Sequence, residues 1–211
     1  LNSQIPGSEG GYLPEEELFK QLMNNDTVRI AITARDLNAA ERKDFEIRTI
    51  VPRNLRIASD GVALIVNPEN TDTLLTTDQL QSILLGKYKT WKELSGSGIK
   101  DSIRVVFDKN GSANARYLKE KFLGEKSFPA NSYATNSSAA VVDYVSKTKG
   151  AIGVIGVNWI SDSDDSTTTS FLDKIRVVGI SQKDSTGAQM EYYKPYQAYI
   201  ALKTYPLIRD V

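Results

Sequence analysis

Residues 104–122, RVVFDKNGSANARYLKEKF, gather several donors to an anion within one turn of chain. An apolar run ends, Gly111 permits a tight turn, and a helical pattern opens directly behind it. The first amides of a helix have no partner inside it, and the dipole adds partial positive charge, so an oxyanion is stabilised there. The backbone amides of Ser112, Ala113 and Asn114, the Ser112 hydroxyl, the Asn114 amide and the Arg116 guanidinium could all donate. The same residues also fit a plain junction in which Ser112 caps the helix and Arg116 is solvated.

A second candidate is AITARDL, residues 31–37. Arg35 follows an expected strand and precedes a helix, a position from which its planar fork can grip an anion, with Thr33 adjacent. The competing reading pairs Arg35 with Asp36 or Glu41.

Other patterns carry less. The run SDSDDS at 161–166 suggests calcium, but counted from Asp162 the sixth position is Thr167 and the twelfth Asp173, where a calcium loop needs Gly and Glu. The segment GSGIKDS at 96–102 shares only composition with a phosphate loop, lacking its spacing and a preceding strand. The tyrosines of MEYYKPYQAYIA, residues 190–201, fit alternation across a strand better than a cofactor box. No metal and no cofactor is expected.

The chain contains no His and no Cys. That excludes a Ser/His/Asp triad, an imidazole base or metal ligand, thiolate zinc and a cysteine nucleophile. An enzyme is therefore not expected. Lys plus Arg and Asp plus Glu number 26 each, so no bulk field draws nucleic acid. No apolar run reaches the roughly 18 residues of a membrane helix. LNSQIPGSEGG shows neither a basic nor an apolar leader region, so no signal segment is present in this chain.

These candidates need elements to hold them. LPEEELFKQLMNND predicts a helix with Glu15, Glu16 and Glu17 in its first turn. TVRIAITA alternates Val28, Ile30 and Ile32 as a strand, and Asn38 with Glu41 predicts a capping box on the next helix. LRIASDGVALIVNP reads as a strand whose interior Gly61 signals a bend or a close approach. A helix from about Thr77 to Leu85 stops at Gly86, and a helical turn begins at Trp91. IRVVF and AIGVIGV read as strands, NARYLKEKFLG and SSAAVVDYVSKTKG as helices, and residues 161–170 as a polar loop. DKIRVVGIS and YQAYIALKTYPL are the last expected strands. Alternation of strands and helices predicts an α/β fold with mainly parallel sheets flanked by helices.

In order along the chain, ARDLNAAE, DGVALIVNPEN, LTTDQLQSILLGKYKTWKEL, IRVVFDKNGSANARYL, TKGAIGVIGV and TYPLIRDV resemble the phosphate-binding family of ABC-transporter solute-binding proteins. The family counterparts read approximately S-R-x-L-x-x-x-E, D-G-I-A-V-V-V-N, L-T-x-x-Q-L-x-x-I-F-x-G-K-x-x-x-W, R-x-x-G-S-G-T, P-G-A-I-G-Y and Y-P-L-x-R. The resemblance implies a two-lobed, type II periplasmic-binding-protein fold whose lobes are joined by two crossing strands. Residues 1–58 would form an incomplete first lobe, 59–67 a crossing strand, 68–195 the second lobe, and 196–211 the return strand and the start of the remaining first lobe. The chain would be truncated at both ends relative to the family.

The resemblance further implies capture of a small oxyanion, phosphate foremost, for an ABC permease, by a monomer located in the periplasm or anchored to the cell envelope. The family's G-S-G-T turn lies on Gly111, Ser112, Ala113 and Asn114, so Gly and Ser match while the second Gly and the Thr do not. Its anion-gripping Arg falls on Asp108, for which Arg116 would substitute, and its Ser-Arg pair on Ala34 and Arg35. Asp60 and Asp108 are expected in the cleft. A carboxylate at 108 leaves open a second outcome, a binding or sensing module that has lost phosphate.

Overall fold

In the computed structural model, residues 15–24, 28–96, 100–160, 172–182 and 190–211 are described. The chain divides into two units, Leu1–Arg56 with Val211, and Ile57–Asp210.

The first unit contains helices α1 (Glu15–Asn24) and α2 (Ala39–Ile47). Three carboxylates sit in the first turn of α1, where they face the positive end of its dipole, and Phe19 is its buried residue. The expected capping box opens α2, with Asn38 accepting from the Glu41 amide and Glu41 accepting from the Asn38 amide. The strand expected over 27–34 is absent from residues 28–33. A strand needs a neighbour to take its backbone bonds, and no described strand pairs with this segment, leaving Ile30 and Ile32 exposed.

The second unit is built on β1 (Ser59–Val66), whose residues Val62 to Val66 have no solvent exposure. An unbroken apolar run of this kind suits a strand covered on both faces. Around it lie β3 (Arg104–Phe107), β4 (Ser132–Ala134), β5 (Ala151–Gly156), β6 (Arg176–Val177) and β8 (Ile208–Asp210). The order is β4-β3-β5-β1-β6, with β8 also on β1. The sheet is mixed. β3 pairs parallel with β4 and β5, the three strands linked through helices, while β1 runs antiparallel to β5, β6 and β8. A separate parallel pair joins β2 (Leu74–Thr76) to β7 (Gly179–Ser181), so DKIRVVGIS supplies two short strands rather than one.

Helices cover the sheet as their apolar spacing dictates. α3 (Thr77–Leu84) is opened by a Thr76–Gln79 capping box, buries Leu80, Ile83 and Leu84, and is followed by Gly86 at φ +70°. α4 (Trp91–Ser95) buries Trp91, whose indole N–H donates to the Gly150 carbonyl at 3.0 Å. α6 (Ser138–Lys147) seats Val141 and Val145 so close to β5 that a Cβ on Gly153 would lie 2.6 Å from Val141.

The expected strand YQAYIALKTYPL is corrected. Its first part forms a short helix, α7 (Gln197–Ala201), followed by Lys203 at φ 57°. Alternation failed as a guide because Tyr196 and Leu202 are exposed while Ile200 turns inward. The strand that pairs with β1 is β8, three residues after the buried Tyr205. The polar loop 161–170, and with it the calcium question, lies outside the described residues.

Candidate functional site

The turn between β3 and α5 (Ala113–Leu118) is built by three local choices. Gly111 takes φ +66°, a conformation that costs an L side chain about 1–2 kcal/mol, although a Cβ there would meet open space. The Ser112 amide donates to the Lys109 carbonyl at 3.2 Å and closes the turn. The Ser112 hydroxyl then accepts from the Ala115 amide at 3.2 Å as the N-cap. Of the three amides expected to face an anion, that of Ser112 is thus engaged, while those of Ala113 and Asn114 have no acceptor among the described residues.

Asn114 is buried, and its Nδ2 donates to Asp108 Oδ2 at 3.0 Å. The remaining oxygens, Asp108 Oδ1 and Asn114 Oδ1, are both buried without a partner among the described residues. Arg116 lies 3.7 Å from Glu120 along the helix, so part of its charge is already answered. Sequence reasoning missed Thr135 and Ser137. Register places Ala134 opposite Phe107, so the chain after β4 runs beside Asp108, and the Thr135 hydroxyl lies within 3.0 Å of the Phe107 carbonyl. Ser137 caps α6. The signal was the polar run ATNSS before an apolar helix, legible as a helix start but not as a neighbour of residue 108.

Asp60 lies on β1 opposite Arg209 on β8. Arg209 Nη2 and Nε donate to Asp60 Oδ2 at 2.6 and 3.1 Å.

Within the first unit, Thr33 donates its hydroxyl to the Arg35 carbonyl at 2.7 Å, and the Ala34 amide donates to Glu15 at 2.7 Å. Arg35 makes a fork with Glu41, at 2.7 and 2.8 Å, with Glu16 at 3.4 Å and the Phe19 ring centroid 3.8 Å below the guanidinium. The Arg35 hydrogen bond is the main cause holding the Glu41 carboxyl below the usual carboxylate range, against the opposing effect of burial, with the Asn38 amide assisting. The same bond raises the guanidinium pKa further. Of the two readings of Arg35, the geometry gives the pairing with Glu41.

Among the described residues no group of three or more His, Cys, Asp or Glu side chains could hold a metal ion. No described helix is long and apolar enough to cross a membrane. A cavity of about 370 Å³ in the second unit is lined by Thr73, Ile175, Arg176, Lys194 and Tyr196 among others, and none of the expected site residues lines it.

The sequence profile of the PBP superfamily domain matches residues 17–211. The phosphate-binding protein PstS of Staphylococcus aureus (strain USA300) is 27% identical over 194 residues, 92% of this chain and 54% of that protein. PstS of Bacillus subtilis (strain 168) is 27% identical over 147 residues, covering 70% and 47% respectively. The chain spans about half the length of the curated relatives it matches. Among solved structures, a putative phosphate ABC transporter substrate-binding protein with bound phosphate from Clostridium perfringens superposes with a TM-score of 0.66 at 24% identity, covering 92% of this chain and 68% of that one. An ABC-type phosphate transport receptor from Vibrio cholerae gives 0.62 at 24%, covering 90% and 68%.

Proposed function

This chain belongs to the PBP superfamily, and from that premise we propose that it is part of a solute-binding protein that captures a small oxyanion, orthophosphate first, for an ABC permease. The observation that carries this reading is the match over 92% of the chain to proteins named for phosphate binding. The β3–α5 turn supports it with a retained Gly111–Ser112 pair and two uncommitted amides, at Ala113 and Asn114. Binding rather than turnover is the activity, in keeping with relatives named for phosphate binding. The anion would be held at the β3–α5 turn by Ser112, the Asn114 backbone amide and Arg116. The protein works outside the cytoplasmic membrane, as a monomer.

Calorimetry and thermal unfolding of the full chain with orthophosphate, sulfate and other oxyanions test the reading. A ligand bound only by the folded state must raise its stability, about 2.7 kcal/mol at a hundredfold excess over Kd. A flat melting temperature up to millimolar orthophosphate would sink it.

A second reading has its own support. Asp108 puts a carboxylate in the turn, and Arg35 is already committed to Glu41. A module on this fold that no longer takes phosphate accounts for both, and the same oxyanion panel separates the two.

A further inference from the structure

The helix that begins at the candidate anion turn is tied at its far end to β8. Tyr117, about 7–8 Å along the helix from Ser112, donates its hydroxyl to the Ile208 carbonyl at 2.9 Å. Lys121 donates to the Tyr117 hydroxyl at 3.0 Å and to the Pro206 carbonyl at 2.7 Å. The helix changes to a π turn over Lys119–Leu123, a local departure that recurs at functional sites.

Two features make this more than packing. Lys121 is exposed as a residue, yet its ammonium has a phenol and a carbonyl as its described partners and no carboxylate, and partial desolvation lowers its pKa. The ammonium thus joins the phenol of the helix to the chain just ahead of β8. The strand it grips is also special. It pairs antiparallel with the first residues of β1, Ser59 opposite Asp210, which follow closely on the step from the first unit at Arg56–Ile57. The segment 205–208 is held from β1 as well, by the Val62 amide on the Leu207 carbonyl at 2.9 Å and the Tyr205 hydroxyl on the Val62 carbonyl at 2.8 Å.

We infer that Tyr117 and Lys121 are positioning residues that couple the anion turn at 108–114 to β8, so that displacement of one is felt at the other. The ligand half of this inference rests on the oxyanion-binding reading above; the mechanical half does not.

The test uses Tyr117→Phe, Lys121→Met and Lys121→Arg in the full chain, read by hydrogen exchange and by orthophosphate binding kinetics. In the first two variants, exchange at 108–116 as well as at 205–210 should quicken by about threefold or more, the scale of one lost hydrogen bond. Exchange in β5 should not change. Orthophosphate should bind about tenfold more weakly through faster release, and Lys121→Arg, which keeps a cationic donor, should stay near the unmodified protein. Faster exchange confined to 205–210, with 108–116 unchanged, overturns the coupling. If the unmodified protein binds no orthophosphate, the function reading fails, and the exchange pattern alone still decides whether the turn and β8 are coupled.

Discussion

The side chains of Asp108 and Asn114 are joined by one hydrogen bond, Nδ2 to Oδ2 at 3.0 Å, which leaves both their remaining oxygens buried and without a donor among the described residues. The Asn114 side-chain amide, one of the donors expected to face an anion, is therefore committed to a carboxylate. A dianion held by the Ala113 and Asn114 backbone amides would have this carboxylate and these acceptors close by.

Replacing Asp108 by Asn keeps the shape and an acceptor for Asn114 while removing the charge. Orthophosphate affinity should then rise by about tenfold, since one like charge at close range contributes on the order of 1–2 kcal/mol in a partly screened site. Isothermal titration at low and high salt measures it. A loss of affinity instead would mean that the carboxylate accepts a proton-bearing oxygen of the ligand and is not a source of repulsion.

The Arg35–Glu41 fork predicts a pH dependence with a definite sign. Glu41 has a depressed pKa in the folded chain, so the pair's contribution is complete above the unfolded value, about 4.3, and is lost as pH falls through the folded value below it. Both side chains are nearly buried, at 10% and 7% exposure, so Glu41→Gln should destabilise by roughly 2–3 kcal/mol near neutrality. Urea unfolding from pH 7 to pH 3 reads both effects. A variant whose stability keeps the same acid slope as the unmodified chain would refute the assignment.

What the sequence made legible follows from how local each signal is. The capping box at Asn38, the Gly86 stop and the buried runs of β1 and β5 depend on neighbours within a few residues, and each stands where its pattern put it. Residues 28–33 and 196–202 had alternation but depended on a distant partner strand that no described element supplies. In the site, Gly111 and Ser112 were legible for the same local reason. The Asn114–Asp108 bond, and the placing of Thr135 beside residue 107, arise from helix geometry and β3–β4 register, which no short motif encodes.

Two glycines separate backbone strain from crowding. Gly111→Ala meets open space but must hold φ near +66°, costing about 1 kcal/mol, and Gly111→Asn, better tolerated in that region, should recover part of it. Gly153→Ala has no such φ but drives a methyl to 2.6 Å from Val141 and 2.8 Å from Ile65, costing at least about 2 kcal/mol. Denaturant midpoints compare them, and equal costs at the two positions would contradict the structure.

Alkaline unfolding should report on Tyr117. Burial is the first cause that pushes its phenol up to about 12, with the Arg209 charge pulling modestly the other way. A folded pKa above the unfolded one means stability that is complete below the unfolded value, about 10, and lost as pH rises through about 12. Tyr205, fully buried with its hydroxyl on the Val62 carbonyl, is shifted in the same direction and adds to the loss. Phenolate absorbance and circular dichroism followed together between pH 9 and pH 12.5 should show Tyr117→Phe losing less stability over this range than the unmodified chain, with a residual decline from Tyr205. An unchanged alkaline slope in Tyr117→Phe would show that this phenol is not held away from water, and would remove the buried hydroxyl on which its bond to Ile208 depends.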